Sequence, residues 1–165
     1  MGLDMYLSVR KYIKRIDFSQ DYDKSGGYEN TPQFDSLVDT LDLSEFIEPQ
    51  ESSGIHVEVP VMYWRKANAV HKWFVDTQAD GMDNCQPIDV NTESLKELVD
   101  LCEQALDNKD NPGEYLPTEE GFFFGGTDYD VYYFEGLEYT RDRLKQVIDT
   151  MEKSGDHFAV YQASW

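Results

Sequence analysis

The chain has 165 residues, 40% apolar and 14% aromatic, and its 33 Asp and Glu outweigh 14 Lys and Arg to leave a formal net charge of −19. A disordered chain is poor in such rings, and this length lets a single domain, 1–165, bury a core without covalent staples. The surplus negative charge repels nucleic acid and anionic membrane, so neither is expected as a direct partner.

The opening "MGLDMYLSVRKYIKR" has Asp4 where a signal peptide is apolar, and its cations follow the apolar part instead of preceding it. An unprocessed, intracellular protein is therefore expected. Gly2 is followed at the sixth position by Tyr6, not Ser or Thr, which argues against a lipidation signal. Met5, Leu7 and Val9 alternate with Tyr6, Ser8 and Arg10, the pattern of a strand.

Residues 17–32 are acidic and turn-rich and read as an exposed loop. Thr31 before Pro32 has the form of a cap and first helical residue. A helix then places Phe34, Leu37, Val38 and Leu41 on one face, with room to run to Phe46 and Ile47 before Pro49. After a second loop, "IHVEVPVMYW" predicts a strand over 55–61. Pro60 cannot donate to a ladder and belongs at an edge or at the strand's end.

"YWRKANAVHKWFV", Tyr63 to Val75, reads as a helix continuing to about Gln78. On a helical wheel Tyr63, Ala67, Val70 and Phe74 form a core stripe, and Trp64, Asn68 and His71 the stripe beside it. Next, "NTESLKELVDLCEQALDN" predicts a helix capped by Asn91 or Thr92, with Leu95, Leu98, Cys102 and Ala105 inward. Cys102 is thus expected as a buried thiol, with no disulfide to Cys85 in a reducing compartment. Thr127 and Asp130 have capping-box spacing for a long last helix, which Gly155 ends. "HFAVYQASW" closes the chain as a strand. The expected fold is α+β: a small antiparallel sheet of about three strands, including both terminal segments, against about four helices. An acidic insert is expected at about 17–55.

Charge is unevenly placed: +3 over 1–16, −10 over 17–58, +3 over 59–75, −15 over 76–139 and zero over 140–165. The basic centre coincides with the Tyr63–Val75 stretch. There Trp64 offers a stacking surface, Asn68 two-way hydrogen bonding, His71 proton transfer near neutral pH, and Arg65 and Lys66 positive charge for an anion or planar ligand. The competing account makes Asn68 and His71 satisfied polar groups at a packing contact. Gly125 and Thr127 of "GFFFGGTDYD" belong to a turn feeding the last helix, whose amides could receive an anion. That turn lacks the Lys-Ser or Lys-Thr of a phosphate loop, and Asp128 with Asp130 lacks the spacing of a calcium loop. His56, His71 and His157 have no zinc-ligand spacing. No metal, cofactor or catalytic residue is assigned.

The segments "MGLDMYL", "YWRKANAVHKWFV", "LPTEEGFFFGGTDYD" and "YYFEGLEYT" together resemble a family of small proteins encoded by phages and prophages. Trp64, Arg65, Lys66, Asn68, His71, Trp73, Pro117, Thr118, Gly121, Phe123, Gly125 and Tyr129 stand at that family's signature positions. The resemblance implies a shared fold, a phage origin and residence in the bacterial host's cytoplasm, and it transfers no catalytic role. Together with the charge, it leads to the expectation of an acidic binding protein that inhibits or modulates a host or antiviral-defence protein by occupying a basic, nucleic-acid-binding surface. The alternative is a small-molecule or nucleotide site at Trp64, Arg65, Asn68 and His71, sequestering or enzymatic.

Overall fold

The computed structural model describes residues 2–19, 29–48 and 52–165. In chain order it contains β1 (Asp4–Lys14), α1 (Pro32–Thr40), β2 (Gly54–Arg65), α2 (Asn68–Gln78), β3 (Ile88–Val90), α3 (Thr92–Asp107), α4 (Val131–Ser154) and β4 (His157–Ser164). Among the described residues the strands form one antiparallel sheet in the order β2-β1-β4-β3, and with the four helices this is an α+β fold. The strand beyond the expected three is β3, whose Ile88, Asp89 and Val90 pair with Tyr161, Val160 and Ala159. Three residues following Pro87 are too few to display a period.

The chain divides into two compact units: Met1–Val9 with Val59–Trp165, and Arg10–Glu58. β1 and β2 give residues to both. In the shorter unit, Thr31 caps α1 as expected, its hydroxyl accepting from the Phe34 amide, with Pro32 in the first turn. The Thr31 hydroxyl in turn donates to the Lys14 carbonyl at 2.8 Å. The helix ends at Thr40, short of Phe46, and Asp42 turns the chain at φ 53° before a single 3-10 turn, Ser44–Phe46. No cation stands in the last turn of α1 to offset the helix dipole, and only Phe34 of its expected stripe is fully buried. Leu41 is exposed. Residues 20–28 and 49–51, inside the expected loops, lie outside the described residues.

The larger unit holds the main core. Leu3, just before β1, and Met5 and Leu7 on it turn inward, as their alternation requires, and Ala159, Tyr161 and Ala163 do so from β4. Leu95, Leu98, Cys102 and Ala105 of α3 are all fully buried, on the face expected of them. Asn91 caps that helix, accepting from the Ser94 amide at 2.8 Å. Both cysteines are free thiols. Phe74 of α2 stacks on Tyr161 of β4 with ring centroids 3.9 Å apart and planes 11° from parallel, which locks helix to sheet.

β2 is an edge strand, and Pro60 lies on it. Two of its backbone groups are met by α4: the Tyr63 amide donates to the Tyr139 hydroxyl, and Arg143 Nε donates to the Val61 carbonyl at 3.1 Å. α4 itself begins later than expected. Asp130, not Thr127, is the cap, its carboxylate accepting from the amides of Tyr132 and Tyr133. A carboxylate can accept two donors at a dipole-positive end, so it outcompetes the hydroxyl. Gly155 ends the helix at φ 60°, as expected. No helix among the described residues is long and apolar enough to cross a membrane.

Candidate functional site

The Tyr63–Val75 stretch is not one helix. Met62 and Trp64 are buried while Tyr63 and Arg65 are exposed, so strand alternation persists to Arg65. Lys66 then takes the left-handed conformation, φ 59°, and α2 starts at Asn68. A side-chain cap is lacking at Ala67, so the strained Lys66 turn and the tertiary contacts of Asn68 set the helix start. Trp64 therefore does not share a helical stripe with Asn68 and His71, and the expected convergence of those three on one line is corrected. Trp64 does not serve as a stacking platform either. It is 3% exposed, and its indole N–H donates to Thr140 Oγ1 of α4 at 2.8 Å.

Asn68 is fully engaged. Its amide nitrogen donates to the carbonyls of Phe124 and Gly126 at 3.2 and 2.8 Å, and its oxygen accepts from the Glu119 amide at 3.3 Å. One side chain thus binds both arms of the loop over 117–128, and Thr118 Oγ1 adds a bond to the Thr127 carbonyl at 2.9 Å. His71 is buried among aromatic rings, with Nδ1 2.7 Å from the Tyr161 hydroxyl and Nε2 3.1 Å from Asp83. Both polar residues are packed and satisfied. Burial holds the Tyr161 phenol protonated well above the usual tyrosine range.

What the turn does form is the wall of a cleft of about 710 Å3. Trp64, Arg65, Lys66 and Asn68 line it from the β2–α2 junction, and Gly125 from the aromatic loop. His71 and Thr127 do not line it. Lys66 rests against the loop, because a Cβ added to Gly125 would lie 3.1 Å from the Lys66 Cβ, and Gly125 itself has φ 93°. Tyr63, Tyr132, Tyr133 and Tyr139 complete the walls with Thr118, Asp128, Asp130 and Glu135. No family model matches the chain, and no curated protein or solved structure does either.

Tyr132, Tyr133, Glu135 and Tyr139 come from α4, Tyr63 from β2, and Asp128 and Asp130 from just before the helix, so no sequence spacing groups them. Tyr132 is 76% exposed, Tyr63 45% and Tyr139 43%. Tyr63 is fixed by hydrogen bonding of its hydroxyl to Asp4, which raises its pKa above the usual value. Neither Arg65 nor Lys66 lies within ion-pair distance of a carboxylate among the described residues, whereas Lys72 pairs with Asp76 at 2.8 Å and Lys96 with Glu152 at 2.7 Å. Chemically, the cleft can hold a planar group against phenol rings and an anion beside two cations. Among the described residues no group of three His, Cys, Asp or Glu is placed to hold a metal ion.

Proposed function

We propose that this protein binds a small organic molecule in the cleft between the β2–α2 turn and α4, and acts by holding or sequestering it. The observation that carries this reading is that Arg65 and Lys66 have no ion-pair partner among the described residues while they line a cavity of about 710 Å3, in a chain of net charge −19. The volume falls in the ordinary range for ligand pockets. A nucleotide or nucleotide-derived signal fits by offering an anion to Arg65 and Lys66 and a base to Tyr63, Tyr132 or Tyr139. A thermal-shift screen against nucleotides tests this, since a ligand at about a hundred times its Kd adds about 2.7 kcal/mol. A shift in wild type that shrinks in Arg65→Ala is expected. No shift, or the same shift in Arg65→Ala, overturns the reading.

A second reading is favoured by the charge itself, −10 over 17–58 and −15 over 76–139. Here the protein is a phage-derived, anti-CRISPR-like inhibitor that occupies the basic, nucleic-acid-binding surface of a host or defence protein. Recovery of a basic, nucleic-acid-binding protein that falls away as salt rises supports it. Recovery of nothing beyond background at low salt ends it.

A further inference from the structure

Five charged residues of both signs line the cleft: Arg65 and Lys66 from the β2–α2 turn, Asp128 and Asp130 before α4, and Glu135 in its first turns. None is within ion-pair distance of an opposite charge among the described residues, although ion pairs form at many other places on this surface. Asp130 is committed to capping α4. Asp128 and Glu135 make no such bond. Opposite charges left unpaired around one cavity match a molecule that carries both signs.

Lys66 takes the left-handed conformation, φ 59°, at the wall of the cleft, and among the described residues it has no carboxylate partner. The stem of its side chain lies along Gly125.

Resting on the reading of the cleft as a ligand site, the geometry points to a zwitterionic ligand. Its single anionic group lies beside Arg65 and Lys66, its planar body against the tyrosines, and its cationic group beside Asp128 and Glu135. An extended polyphosphate is disfavoured, because its far charges would face the two carboxylates. Within the nucleotide class this selects a single phosphate joined to a base that carries a fixed positive charge.

The test uses three aromatic probes of matched size on the whole chain, followed by amide chemical-shift perturbation: para-aminomethyl phenylacetate, which is zwitterionic, para-methyl phenylacetate, which is only anionic, and para-methyl benzylamine, which is only cationic. The zwitterion is expected to bind at the cleft residues about tenfold or more tighter than either counterpart. Arg65→Ala with Lys66→Gly should erase its advantage over the amine, and Asp128→Asn with Glu135→Gln its advantage over the acid. All of these positions are exposed, so folding is not at risk. Equal affinity for the three probes, or preference for a singly charged one, overturns the zwitterion assignment and leaves the cleft a ligand site. Absence of shifts at the cleft residues with every probe overturns the cleft reading itself.

Discussion

The Trp64 indole on β2 donates to the Thr140 hydroxyl on α4 at 2.8 Å, with both side chains out of solvent. The Thr140 hydroxyl in turn donates to the Gly136 carbonyl, so strand, helix and helix backbone are joined in one short chain of hydrogen bonds. Thr140→Val keeps the volume and strands the indole N–H. A loss of about 1–3 kcal/mol is expected, read as a lower urea midpoint with an unchanged m-value. A loss below about 0.5 kcal/mol would mean that the bond contributes little net stability.

Asn68→Ala removes three hydrogen bonds to the loop over 117–128 at once. The Glu119 amide and the Phe124 and Gly126 carbonyls then lose their partner. Hydrogen exchange should accelerate at Glu119 and its loop neighbours, while α3 keeps its protection. Ligand affinity should fall with it, because that loop supplies one wall of the cleft.

Lys66→Gly should stabilise the protein by about 1 kcal/mol, since relief of the left-handed strain exceeds the extra chain entropy of glycine. For a chain of this size that is a rise of about 2–4 °C in Tm. Gain of stability with loss of ligand binding is the pairing that separates a functional residue from a structural one.

The Cys102 thiol, buried on α3, is pushed up from 9.0 to about 12 by desolvation. It should resist iodoacetamide in the native protein at mildly alkaline pH, while half-buried Cys85 reacts first. The folded-state value lies above the unfolded one, so this stabilising contribution is complete below about pH 9 and is lost as pH rises toward about 12. Tyr161, raised for the same reason from 10.0, acts in the same direction at higher pH. Urea midpoints measured across that window should fall, with a slope of up to about 1.4 kcal/mol per pH unit for each group. Cys102→Ala should flatten the lower part of the decline.

Much of the scaffold was legible in the sequence. Thr31–Pro32 and Asn91 announced their helices by local chemistry, and the α3 stripe announced its buried face by period. The Tyr63–Val75 stretch misled because two periods overlap there: Tyr63, Ala67, Val70 and Phe74 fit a helix, while Met62 to Arg65 continue the alternation of the preceding strand. Arg65 and Lys66, which would oppose the dipole at a helix start, precede α2 instead of beginning it. Three of the residues expected to converge there were separated in role by tertiary partners no local pattern encodes: Thr140 for Trp64, the aromatic loop for Asn68, Tyr161 and Asp83 for His71. The cleft's tyrosines were hidden for a related reason, because exposure on α4 depends on what packs across it.

Over Val61–Tyr63 the β2 edge is met by side chains of α4, with Tyr139 and Arg143 occupying the Tyr63 amide and Val61 carbonyl. Two helix residues therefore stand in for a neighbour that another copy of the chain would otherwise be able to supply. Removing them together would leave an open template for intermolecular pairing, with like-charge repulsion as the remaining guard against fibre growth.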